Sequence, residues 1–140
     1  MRALLLASEI AFTANTTTHS TPILLVAAPV GSVFAGDEAV AGEDMGFPSS
    51  GTAVVALSLE GVTNVTSGTV IVEASQNYYS DSGSGETFTT VATYTIGAIT
   101  TKSKTVFLDR VPLGEAVRIS TVSVHTADAG GTVTAYLLST

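Results

Sequence analysis

The sequence predicts an all-β fold: one jelly-roll-like antiparallel β-sandwich preceded by an extended N-terminal arm. Three observations carry this. Thr, Val, Ile, Tyr and Phe, the residues favoured in strands, are abundant. Gly and Ser clusters recur at intervals of roughly 8–12 residues, the turn spacing of sandwiches and barrels. Within the runs, apolar residues alternate with Thr and Ser at the period of two that puts one set of side chains on one face of a strand. At 140 residues the chain is the length of one domain, which commonly holds about 100–150. It divides into an arm, residues 1–20, and a sandwich, residues 21–140. No run argues strongly for a helix, although Met1–Ile10 and Asp37–Asp44 are each long enough for a turn or two.

The arm joins an apolar start, with Leu4, Leu5, Leu6, Ile10 and Phe12, to the polar run NTTTHST. Fully extended, such a segment reaches about 60–70 Å, enough to cross onto a neighbouring subunit and add its backbone to a sheet edge. Removing residues 1–14 is accordingly expected to leave a folded domain that no longer binds its partner. Arg2 and the leucines imitate a secretory leader, but Glu9 ends the run short of the roughly 7–15 apolar residues such a leader needs. ILLVAAPV, residues 23–30, is the longest apolar run and falls far below the roughly 20 residues of a membrane-spanning helix. Pro22 and Pro29 bound a strand over 22–30. Residues 36–51, GDEAVAGEDMGFPSSG, read as an acidic, Gly-rich loop carrying Phe47.

The clearest strands follow. Over 53–60, Ala53, Val55, Leu57 and Leu59 share a face, and GVTNVTSG at 61–68 reads as a connection. Over 69–76, Val70, Val72 and Ala74 point one way and Glu73 the other. YYSDSGSGE, 78–86, is a polar loop. Over 87–96, Phe88, Ala92, Tyr94 and Ile96 line one side and Thr89, Thr93 and Thr95 the other. A strand at 104–109 leads into a turn at 110–115, where Pro112 presets φ and Gly114 is suited to positive φ. Over 117–125, Val117 and Ile119 share a face, but Val122 and Val124 fall on the opposite one. That change of phase predicts a β-bulge near Ser120–Thr121. TADAGG, 126–131, closes a hairpin onto a strand at 132–138.

Charge and composition narrow the function. Five Lys and Arg against twelve Asp and Glu give a net charge of −7, which argues against nucleic-acid binding, where a basic face must replace phosphate counterions. Charged residues make up 12% of the chain, about half the roughly 25% of an average domain. Apolar residues reach 45%, too many for a disordered chain. A surface built from Thr, Ser, Ala and Gly rather than Lys and Glu suits close contact with other protein. With no cysteine, disulfides and thiolate chemistry are excluded.

No catalytic, cofactor-binding or metal-ligating residue is assigned. PSSG at 48–51 and SGSGE at 82–86 lack the G-x-S-x-G spacing of a nucleophile elbow, and nothing in the sequence ties His19 or His125 to a carboxylate. Asp37, Glu38, Glu43 and Asp44, and the weaker group Asp81, Ser82, Ser84 and Glu86, miss the spacing of a calcium loop and read as solvated acidic surface. The sequons at Asn15 and Asn64 are expected by coincidence in a chain this rich in threonine. Tyr78 and Tyr79 are the one pair suited to stacking on sugar rings, the residues of an alternative, carbohydrate-binding reading.

The C-terminal part carries a resemblance. TVFLDRVPLGEAVRISTVSVHTADAGGTVTAYLL, residues 105–138, is similar to the closing strands of small β-sandwich virion proteins of tailed bacteriophages. In these a VPxG turn leads into an Arg-containing strand and a GGTVTA-like strand ends the domain. The matching residues are Val111, Pro112, Gly114, Arg118, Gly130, Gly131, Thr132, Val133 and Thr134, covering about a quarter of the chain. The resemblance implies a non-enzymatic structural protein, made in the host cytoplasm and placed on the capsid surface of the virion. There a head decoration, or cement, protein bridges capsomers, contacting the major capsid protein and copies of itself as a homotrimer. A neck, tail or fibre component is the alternative within the virion. Leu4, Leu5, Leu6, Ile10, Phe12 and Phe47 are the expected partner contacts; neither nucleic acid, membrane nor cofactor is implied.

Overall fold

The computed structural model describes residues 3–13, 16–25, 51–65, 67–76, 78, 87–96, 99–124 and 130–138. Among them the chain is all-β: β1 (Ala3–Ala11), β2 (Thr16–His19), β3 (Ile23–Leu24), β4 (Thr52–Val65), β5 (Ser67–Ser75), β6 (Thr89–Thr95), β7 (Ile99–Pro112), β8 (Ala116–Val124) and β9 (Gly130–Leu138). They form two antiparallel sheets in a sandwich-like arrangement. The front sheet runs β1-β9-β4-β7 and the back sheet β2-β8-β5-β6, with β3 also paired to β8. The pairings are nested: β5 meets β6, β4 meets β7, β2 and β3 meet β8, and β1 meets β9. No helix among the described residues is long and apolar enough to cross a membrane.

Alternation does what the sequence leads one to expect. Val55, Leu57 and Leu59 of β4 and Val133, Ala135 and Leu137 of β9 face Val70 and Val72 of β5 and Val117 and Ile119 of β8 in one buried cluster. Burying a side chain of this size contributes about 1.5–3 kcal/mol, so the interleaved faces hold the two sheets together.

The N-terminal residues do not project from the domain as an arm. Ala3–Ala11 pairs with β9, and Thr16–His19 pairs with β8 of the same chain. Leu4, Leu6, Ala7 and Phe12 belong to the core. The apolar side chains that fit a segment for docking on a neighbour fit it equally for its own sheet edge, where no association entropy opposes the pairing. For the same reason the described part of the run expected to hold a helical turn, from Ala3 on, is a strand.

Other differences lie in register. β4 continues through residues 61–65, where a connection is expected. An irregularity between Leu59 and Val62, with Gly61 at φ 59°, keeps Val62 buried. Likewise β7 runs well beyond 104–109, to Pro112. Gly114 is not at positive φ; a side chain there would place its Cβ 2.5 Å from the Ser75 carbonyl oxygen, so close approach of backbone demands the glycine. The bulge expected near Ser120–Thr121 is absent, because β8 pairs with β5 and with β2 in unbroken register. Thr121 instead takes the inward position, buried, and its hydroxyl donates to the Ala11 carbonyl at 3.1 Å. A register shift lies in the neighbouring pair, between Val72 and Glu73 opposite β6. It puts Val91 as well as Ala92 against the core and leaves Phe88 beneath Arg118 rather than beside Ala92 and Tyr94. Of the strand expected over 22–30, Ile23–Leu24 is paired, and residues 26–30 lie outside the described residues.

Candidate functional site

Strand alternation leaves one set of front-sheet side chains facing outward, opposite the buried Leu4, Leu57 and Leu137. Register aligns them into a row across all four strands: Leu5 of β1 lies opposite Tyr136 of β9, Tyr136 opposite Ala56 of β4, and Ala56 opposite Phe107 of β7. Phe107 is 63% exposed, Leu5 45% and Tyr136 38%, the large apolar side chains most open to solvent among the described residues. On one side of the row Ala3, Leu138 and Val54 are in register; on the other lie Thr134, Ser58 and Thr105. None of these residues carries a charge. Ala56 itself is buried, so Leu5, Tyr136 and Phe107 carry the exposed apolar surface, and such surface is where proteins meet partners.

A second constellation occupies the outer side of the back sheet. Glu73 of β5, Arg118 and Ser120 of β8 and His19 of β2 meet because Glu73 pairs with Arg118 and His19 with Ser120. Arg118 Nε donates to Glu73 Oε1 at 2.9 Å and Ser120 Oγ donates to the same oxygen at 2.6 Å. His19 Nδ1 hydrogen-bonds Ser120 Oγ and stands 3.6 Å from Glu73 Oε1. Burial pushes the Glu73 carboxyl up, but the Ser120 and Arg118 hydrogen bonds and the Arg118 and His19 charges outweigh it and hold it below the ordinary carboxylate range. The Arg118 guanidinium lies 4.1 Å from the centre of the Phe88 ring, and Tyr78 meets that ring edge-on, centroids 6.4 Å apart.

Serine, histidine and glutamate are the residue types of a hydrolytic triad, and the structure joins His19 to a carboxylate that the sequence does not link to it. The connections are those of a structural knot. The Ser120 hydroxyl gives its proton to Glu73, so the oxygen meets His19 as an acceptor and no base stands ready to take that proton. Ser120 is also 1% exposed, out of reach of a substrate carbonyl. What the cluster does is tie three strands, β2, β8 and β5, on one face.

Between β1 and the β2–β3 edge lies an open groove of about 240 Å³ lined by residues that include Leu6, Ile10, Ser20 and Ile23. The expected contact residues are therefore divided. Leu4, Leu6 and Phe12 are buried in their own core, Ile10 is half-buried, and Leu5 alone of the N-terminal set joins the outward row. Tyr78 packs on Phe88. Phe47, Tyr79, His125 and the acidic stretches 36–50 and 81–86 lie outside the described residues. Among the described residues no three His, Asp or Glu side chains gather as a metal site would require.

Sequence reasoning missed Phe107 and Tyr136, although the signal for both was present. Val133, Ala135 and Leu137 alternate inward, which forces Tyr136 out, and Phe107 sits likewise between Val106 and Leu108, both packed against the core. The Glu73 cluster carried no such signal, since its members are far apart in the chain. No protein-family model matches the chain, and no curated protein matches it in sequence.

Proposed function

We propose that this chain is a non-enzymatic structural protein of a phage virion, most simply a head decoration protein that adheres to the major capsid protein and to copies of itself, as a trimer, across capsomer junctions. The observation that carries the reading is the uncharged row on the outer face of the front sheet, with Leu5, Tyr136 and Phe107 exposed along it. A chain with net charge −7 that keeps charge out of this row, with Glu60 and Asp109 lying further along the same strands, has a patch suited to protein contact and unsuited to nucleic acid. The resemblance of residues 105–138 to phage virion proteins supports the same class. We read the finer architecture as jelly-roll-like, supported by nested pairing and by strands that alternate between the sheets.

Copy number in purified virions, by quantitative gel densitometry, tests the proposal. Hundreds of copies per particle are expected; six or twelve would move the protein to the neck or tail, and absence from the particle would end the virion reading. Replacing Phe107→Glu together with Tyr136→Lys is expected to lower occupancy at least tenfold, with the melting temperature nearly unchanged because both side chains are exposed.

A further inference from the structure

We infer that β1 is exchanged between copies of this chain: Ala3–Ala11 of one copy fills the β9 edge of a second while β2 stays anchored on its own back sheet. This rests on the preceding proposal for its setting but on different observations.

The two N-terminal strands are held unequally. β2 ends in a two-way clamp, in which the Ser20 amide donates to the Ile119 carbonyl at 2.8 Å and the Ile119 amide donates to Ser20 Oγ at 2.8 Å. Next to it His19 is tied through Ser120 to Glu73. β1 is held by single bonds and not by a reciprocal pair: the Glu9 amide donates to Thr134 Oγ1 at 3.2 Å and the Ala11 carbonyl accepts from the Thr121 hydroxyl at 3.1 Å. Its pairing with β9 breaks register twice, between Leu5 and Ala7 and between Ala7 and Ile10, and Glu9 is forced to φ 50°, a conformation that a residue other than glycine adopts at a cost. An open groove runs beside Leu6 and Ile10, on the side of β1 that faces Ser20 and Ile23. Closing β1 onto β9 in the same chain also requires the longest-range pairing in the fold, Ala3 with Leu138.

A second copy offers β1 the same β9 edge and the same core positions for Leu4 and Leu6, so exchange keeps the contacts of β1 and changes only the turn after Phe12. That turn is closed by the Thr16 amide donating to the Thr13 carbonyl at 3.2 Å. What opposes exchange is the entropy of association. Copies held side by side see one another at an effective concentration of order millimolar, and there the penalty is small. The occupant that fits the β9 edge is thus another molecule's β1, by the usual route of strand swapping.

A chain without cysteine makes the test clean. Leu5 and Tyr136 are exposed and directly opposite, within the Cα separation that a disulfide bridges. Leu5→Cys and Tyr136→Cys chains, prepared separately with tags of different size, are mixed near 1 mM and oxidised. Exchange gives a covalent mixed dimer on a non-reducing gel. No mixed dimer, together with closure of the doubly substituted chain only within itself, overturns the inference. Ala3→Cys with Leu138→Cys, the adjacent facing pair, repeats the test should the first pair fold poorly. Capsid occupancy of the unmodified protein is read separately and bears on the virion proposal alone.

Discussion

At the scale of single residues, several partners converge on the Glu73 side chain. It receives hydrogen bonds from Arg118 and Ser120 and faces His19 at 3.6 Å. Its carboxyl is held below the value of 4.5 that it has in an unfolded chain. The folded state therefore binds the proton less readily than the unfolded state, and the stabilisation is fully present above about pH 4.5. It is lost as pH falls through the lowered folded value. Melting temperature measured against pH should thus drop on the acid side, and Glu73→Gln should flatten that limb while costing about 1–3 kcal/mol at neutral pH, through polar groups left without their acceptor. A wild-type acid limb unchanged by Glu73→Gln would show that the cluster does not hold β2, β8 and β5 together.

Among the elements, β1 carries the sharpest difference between expectation and structure. As an arm it is dispensable to the fold; as a strand it brings Leu4, Leu6 and Ala7 into the core, with Phe12 directly after it. Deleting residues 1–14 should therefore leave a chain that does not fold cooperatively, seen as loss of a sharp thermal transition by circular dichroism. Leu6→Ala, a milder change at 2% exposure, should cost about 2–5 kcal/mol. A truncated chain with an unchanged transition would return β1 to the role of an arm. Where β1 resides, in cis or on a second copy, does not alter these values, because its buried contacts are the same in both.

For the whole molecule the nested order has a kinetic consequence. β5 and β6 pair nearby in sequence, but β2 with β8 and β1 with β9 close loops spanning most of the chain. Contacts so distant in sequence must await the closure of long loops, and folds built from them form in milliseconds to seconds. Stopped-flow circular dichroism should show the main refolding phase in that range; completion within microseconds would contradict the nested topology.

Much of this was legible in the sequence. Alternation in 53–60, 69–76 and 132–138 fixes which side chains face inward, because the period of two is a property of one strand and needs no partner. It likewise contained the outward positions of Tyr136 and Phe107. Composition alone, with no cysteine, removed thiol chemistry, and its net charge of −7 argued against nucleic acid. Tertiary structure decided what depends on a partner strand. It placed Leu4 and Leu6 inside, kept β8 in register through Ser120 and Thr121, required Gly114 for close backbone approach, and gathered His19, Glu73, Arg118 and Ser120. Strand patterning is local, whereas the choice of neighbour is made by packing between residues distant in the chain, and no short window of sequence records that choice.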